Sequence, residues 1–184
     1  MAGSVTFAQP DSTVLLVVDI QERLLPAIHD AAACTESARR MIEAARVLGV
    51  PVLCTEQYPK GLGVTCAMIR ESMGDAPVIE KTRFSSCVED LLTRLREADR
   101  PNVIVVGIEA HVCVQQTVLD LLRLGFAPFV CADAVGSRKP LDREMALHRM
   151  RQAGAIVTTT ESIIFELLGE AGTETFKKIL KIVK

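Results

Sequence analysis

The sequence has no tryptophan, one tyrosine and only 4% aromatic residues, which leaves little surface for stacking nucleic-acid bases. It also lacks an excess of charge of either sign, since 21 Lys and Arg stand against 23 Asp and Glu for a formal net charge of -2. That balance gives no general attraction to phosphate backbones or anionic lipid, and a nucleic-acid partner is not expected. No apolar run approaches the length of a membrane span. The cysteines Cys34, Cys54, Cys66, Cys87, Cys113 and Cys131 form no CxxC pair and no zinc spacing; most sit among apolar neighbours, as thiols do in a reducing compartment. Residues 1–11 show neither an apolar signal core nor the arginines of a transit peptide. The expectation is a soluble protein, intracellular and by default cytoplasmic. Repeats, low-complexity segments and linkers are absent too, so the 184 residues, 49% of them hydrophobic, are expected to form one domain, 1–184.

What is present is an alternation of short apolar runs with amphipathic segments. Strands are expected at 13–19, 52–55, 78–79, 103–107, 127–131 and 155–157. Helices are expected at 31–48, where Gly49 stops the pattern before Pro51, and at 88–98, with Leu91, Leu92 and Leu95 inward. Further helices are expected at 111–125, at 141–153, and at 162–168, the last opened by Thr160. Six strands alternating with helices argue a three-layer α/β/α fold around a doubly wound parallel six-stranded sheet. In the order 3-2-1-4-5-6 the crevice opens between strands one and four. The tail, 173–184, sets Phe176, Ile179, Leu180 and Val183 on one side and four lysines on the other. It either lies on a membrane surface or, the favoured reading for so short a segment, docks on its own subunit or a neighbour.

Several polar residues fall at strand ends, where an open parallel sheet binds its ligands. Asp19 closes strand one, either as a group delivered to the crevice or as a cap of the next turn. Lys81 follows strand three, where a lysine taken alone reads as a solvated surface residue. Cys113 lies where strand four gives way to a helix; in a first helical turn, unpaired N–H groups and the positive end of the macrodipole favour a thiolate. The bland alternative is a small buried thiol. Loop 56–63 holds Gln57 and Tyr58, the latter either a pocket wall or a loop anchor. Asp133 and Arg138 occupy the loop after strand five, where a structural role is favoured. His111, two residues before Cys113, is the competing base, but a residue so close in a turn points away from it. His29 and His148 have no ligand-spaced partners and read as structural.

At these residues the chain resembles the isochorismatase-like cysteine hydrolase superfamily. The resemblance runs through 15–21 with its aspartate, 80–85 with its lysine, the turn 107–114 with its cysteine, and the loop 133–138. It implies a catalytic triad of Asp19, Lys81 and Cys113, a non-proline cis peptide joining Ile108 to Glu109, and an oxyanion hole from the backbone N–H groups of Glu109 and Cys113. Gln57, Tyr58, Phe84 and Ile108 are the expected pocket residues. The chemistry implied is hydrolysis of a small amide or similar carbonyl compound through a thioester. The resemblance also implies assembly as a homo-oligomer, a dimer or tetramer. Two departures stand out. The aspartate and two histidines that hold metal in nicotinamidases are missing, since 56–66 contains no histidine, so no metal and no cofactor is expected. Enzymes that hydrolyse isochorismate itself typically have glycine where Cys113 stands. Members of the subgroup have been labelled mitochondrion-associated ribonucleases, which makes an RNA-processing nuclease, with mitochondrial association, the alternative. A non-catalytic member that keeps the fold is a third reading.

Overall fold

The computed structural model describes residues 6–184; the first five of residues 1–11, read above for a leader, lie outside them. Six strands, β1 (Thr13–Val18), β2 (Val52–Gln57), β3 (Val78–Lys81), β4 (Asn102–Ile108), β5 (Ala127–Gly136) and β6 (Ile156–Thr158), make one sheet. Every pairing is parallel, and the order is β3-β2-β1-β4-β5-β6. The helices are α1 (Ala31–Val47), α2 (Pro59–Leu62), α3 (Ala67–Met73), α4 (Glu89–Ala98), α5 (Gln115–Arg123), α6 (Pro140–Gln152), α7 (Thr160–Leu168) and α8 (Glu174–Val183).

β1 and β4 are continuous apolar runs because both faces of the sheet are covered. Their side chains alternate between two cores. Leu15, Val17, Ile104 and Val106 join the core that contains α1 and α7 residues, and Val14, Leu16, Val103 and Val105 join that of α4, α5 and α6. Ile179 of α8 is fully buried in the first core, with Ile182 and Val183 packed against it, and Arg40 donates to the Val183 carbonyl. The tail therefore docks on its own chain. Among the described residues no helix is long and apolar enough to cross a membrane.

The sequence expectation fell short wherever strands continue through polar residues. β2 runs on through Glu56 and Gln57, expected as loop, because Gln57 lies in register beside Lys81 of β3. β3 includes Lys81 rather than ending before it. β5 continues past 131 to Gly136, resuming its pairing with β4 after an irregularity between Val105 and Gly107. Helix α3 has no counterpart in the expectation. The cap of α7 is Thr159, whose side chain accepts from Ser162 N–H, not Thr160.

Where the crevice opens, β1 and β4 approach closely. Gly107 has φ +135 in register with Val18, and a Cβ there would stand 2.1 Å from the Val18 carbonyl oxygen. Gly125, which closes α5 at φ +88, has nothing within 4 Å of the same point. Gly107→Ala is therefore expected to cost at least about 3 kcal/mol, a steric clash added to backbone strain. Gly125→Ala bears the strain alone, about 1 kcal/mol. Urea unfolding of the two variants checks the contrast, and equal losses would contradict it.

Candidate active site

The crevice gathers three side chains from three strand ends. Asp19 leaves β1 with φ 52, an orientation that asparagine and aspartate adopt more readily than other side-chain-bearing residues. Its N–H still donates to the Thr55 carbonyl of β2 at 3.1 Å, and Gln21 N–H returns to the Asp19 carbonyl at 2.8 Å. The strand thus ends in a sharp turn with a wholly buried carboxylate. Oδ1 accepts from Thr55 Oγ1 at 2.8 Å and Oδ2 from Lys81 Nζ at 2.6 Å.

Lys81 is as buried as its partner, with no exposure of either side chain. Its Nζ also meets Gln57 Oε1 at 2.8 Å and the carbonyls of Phe84 and Arg83 at 3.0 and 3.2 Å. Three N–H bonds thus face four acceptors. The ammonium is committed to holding the carboxylate and the 82–86 turn, with no donor left over for a third party. The surface reading of Lys81 is overturned: β3 is an edge strand, but Lys81 points inward at its crevice end.

Cys113 is 5% exposed, and its thiol lies within the influence of the Asp19 carboxylate. It does not sit in the first turn of an α-helix as expected. The backbone passes through a π-helical turn, Ala110–Val114, in which Val114 N–H reaches back to the Glu109 carbonyl at 3.2 Å, and only then enters α5. Nor is the thiol acidic. Burial pushes it up to about 12, the Asp19 charge pushes the same way, and Lys81 offsets only part of the rise. Burial likewise pushes the thiols of Cys34 and Cys54 to about 12 and that of Cys87 to about 11. Electrostatics therefore does not single out Cys113; its carboxylate neighbour does. A protonated thiol beside a carboxylate can pass its proton as the sulfur attacks, which a free thiolate has no need to do.

The peptide joining Ile108 to Glu109 is cis. Glu109 turns its carboxylate outward to Arg138, at 2.9 Å from Nε. Among the described residues no protein carbonyl takes the Glu109 N–H. Ile108 is fully buried against Ile28 and Cys34. Gln57 is committed through its amide to Lys81 and the Thr82 carbonyl, so it is a strut of the site rather than an open pocket wall. Tyr58 and Phe84 are 53% and 54% exposed. A cleft of about 480 Å³, walled by Tyr58, Lys60, Thr82, Arg83 and Val88, reaches Lys81 but is lined by neither Asp19 nor Cys113. His111 bonds Ser137 through Nδ1 at 3.0 Å and so fastens the turn to the end of β5. Asp133 accepts from the N–H and hydroxyl of Thr160, and its alternative partner Arg138 is taken by Glu109. Among the described residues no group of three or more His, Cys, Asp or Glu is placed to hold a metal ion.

A buried hydroxyl chain, which the sequence reading missed, links the acid to the nucleophile turn. Thr55 donates to Asp19 and meets Ser86 Oγ at 3.2 Å. Ser86 N–H donates to Thr117 Oγ1, which donates in turn to the Cys113 carbonyl at 2.6 Å. Threonine and serine close to strand and helix ends were the available signal, but their partners are distant in sequence.

Comparison with known proteins places these features in a family. A model of the isochorismatase domain matches residues 13–162. Isochorismatase domain-containing protein 1 of Salmo salar is 42% identical over 176 residues, 95% of this chain, which spans only 62% of the relative's length. The structure of MAR1 ribonuclease from Caenorhabditis elegans superposes with a TM-score of 0.93 at 42% identity, covering 97% of this chain and 92% of that one. YcaC from Pseudomonas aeruginosa, described with hexane-2,5-diol and covalent acrylamide, gives 0.90 at 25% identity, covering 98% and 93%.

The charge arrangement makes a signed prediction. With burial and Asp19 raising the Cys113 thiol and Lys81 lowering it, iodoacetamide should label Cys113 slowly at neutral pH. Asp19→Asn should speed labelling and Lys81→Met should slow it, each by on the order of tenfold per pKa unit moved. Peptide mass spectrometry reads the rates, and faster labelling of Lys81→Met than of wild type would contradict the assignment.

Proposed function

Because the chain belongs to the isochorismatase family, we propose that it is a cysteine hydrolase that cleaves a small amide or similar carbonyl compound by acyl transfer to Cys113. The observation that carries this reading is the wholly buried 2.6 Å Asp19–Lys81 pair, whose two charges both act on the Cys113 thiol at the crevice of the sheet. A buried ion pair is weak evidence for stability, since replacing it with apolar side chains is often neutral or favourable. A buried pair that acts on a thiol in a crevice instead marks a candidate functional site.

The proposed steps use these groups in turn. Substrate carbonyl carbon approaches Sγ; as the S–C bond forms, the thiol proton passes to the Asp19 carboxylate. Charge collecting on the carbonyl oxygen is met by backbone N–H groups, of which Glu109 and Cys113 are the candidates. Collapse of the tetrahedral intermediate expels the amine, which takes the proton from Asp19 and leaves a thioester. Water then gives a proton to Asp19 as its oxygen attacks the thioester carbon, and the sulfur leaves with that proton. Lys81 stays beside Asp19 throughout, so that the single negative charge, moving from the carboxylate through the sulfur to the carbonyl oxygen, keeps an ammonium nearby.

A second reading has one specific support, the 42% identical structure described as a ribonuclease. Against it stand the net charge of -2 and the scarcity of aromatics. The lysine-rich strip noted in the sequence stays exposed on α8, whose apolar side docks against α1 and α7.

A panel of small amides and ureides, assayed for ammonia release and for an acyl adduct on Cys113, tests the proposal. At least one substrate should turn over, Cys113→Ala should abolish turnover, and an acyl mass should appear on the peptide carrying Cys113. RNA cleavage that depends on Cys113, in a protein inert to every amide, would favour the second reading instead.

A further inference from the structure

Gln57 and Gln21 form a closed unit behind the ion pair. Gln57 N–H donates to Gln21 Oε1 at 2.8 Å, Gln21 Nε2 donates back to the Gln57 carbonyl at 3.0 Å, and the same Nε2 reaches the Gly63 carbonyl at 2.6 Å. Gln21 is fully buried and Gln57 is 9% exposed. One glutamine therefore fixes the backbone of the other. The orientation of the Gln57 amide is dictated by its surroundings: an ammonium on one side demands an acceptor, and the Thr82 carbonyl on the other demands a donor. Only an amide meets both demands. A carboxylate cannot donate to Thr82, and a thioether does neither well.

The consequence falls on Lys81. Its flexible four-carbon stem leaves the position of Nζ to be set by what surrounds it. Two of its acceptors are carbonyls of the 83–84 turn, one is the Asp19 carboxylate, and the remaining one is Gln57. Gln57 is the one neutral side-chain acceptor among them, and it is anchored to β1's exit through Gln21. We propose that Gln57 is a positioning residue: braced by Gln21, it holds the Lys81 ammonium against Asp19 and so sets how readily Cys113 gives up its proton. This rests on the reading in which Asp19 takes the Cys113 proton.

The charged groups around this unit are few. Cys113 is faced by Asp19 and Lys81 and, from its own turn, by Glu109; Glu109 is paired with Arg138. Glu56, next to Gln57 on β2, turns its carboxylate away to the N–H and hydroxyl of Thr65. His111 is bonded to Ser137. A new negative charge at residue 57 would therefore act chiefly on Lys81 and, through it, on the thiol.

The test is the iodoacetamide alkylation rate of Cys113 in the full-length protein, at several mildly alkaline pH values, with Cys113→Ser identifying the labelled peptide. Gln57→Glu places a second carboxylate on the ammonium and should slow alkylation on the order of tenfold at each pH, as a rise of about one pKa unit requires. Gln57→Met keeps the charge count and removes the hydrogen bonds to Lys81 and to the Thr82 carbonyl, of which the first bears on the thiol, so a loss of about threefold is expected. A merely structural role would lower the melting temperature of both variants and leave the rate-against-pH profile where it was, which would overturn the proposal. Should Gln57→Glu fail to fold, Gln57→Met decides alone, and an unchanged rate sinks the idea. Alkylation that responds as stated in a protein that hydrolyses no amide would sink the hydrolase reading and leave the role of Gln57 standing; hydrolysis with indifferent alkylation would do the reverse.

Discussion

The structure depends on a single buried contact, the Asp19 carboxylate on the Lys81 ammonium, with both side chains removed from water. Desolvating two charges costs several kcal/mol for each ion, and only good geometry with further hydrogen bonds repays it. The site supplies both. Thr55 takes the other carboxylate oxygen, Gln57 and two carbonyls take the rest of the ammonium, and the backbone turns sharply at Asp19 to bring the pair together. Removing either partner would strand a buried charge at a cost of roughly 3–5 kcal/mol. The constraint is therefore structural before it is chemical, and it couples β1, β2 and β3 at the crevice end of the sheet.

The same contact helps to explain why the cysteine is not a free thiolate. A lone ammonium beside a cysteine would lower its pKa and leave a reactive sulfur open to oxidation. Here the ammonium is spent on a carboxylate, so the thiol remains protonated, pushed up to about 12 by burial and by the Asp19 charge. In the proposed chemistry, nucleophilicity is deferred to the moment at which a carbonyl arrives and the proton can move. The chain of hydrogen bonds from Asp19 through Thr55, Ser86 and Thr117 to the Cys113 carbonyl ties Asp19 to the turn that holds Cys113.

The architecture was legible in the sequence because β1 and β4 are apolar throughout and each leads directly into a polar residue. Asp19 and Cys113 could be placed at the crevice from that pattern, and the sheet order has the form anticipated. Lys81 was legible only through its motif; the pattern alone argued for the surface, since nothing in residues 78–81 announces four acceptors for its ammonium. Gln57 was misjudged because polar residues at a strand end look like loop, whereas parallel pairing with Lys81 carries β2 two residues further. The π-helical turn left no trace either: its apolar spacing is compatible with an ordinary α-helix start, and the extra residue shows only in the bond from Val114 N–H to the Glu109 carbonyl. The macrodipole argument for a thiolate failed for a related reason, as burial and a neighbouring carboxylate outweigh a helix end.

The central claim is that Cys113 rests as a thiol beside Asp19. Thiolate ultraviolet absorbance, taken as the difference between the wild type and Cys113→Ser across a pH titration, measures it directly. The account predicts no thiolate signal from Cys113 at neutral pH and none at the ordinary thiol value of 9, with the rise approaching only toward about 12. A Cys113 thiolate already present near neutrality would contradict it.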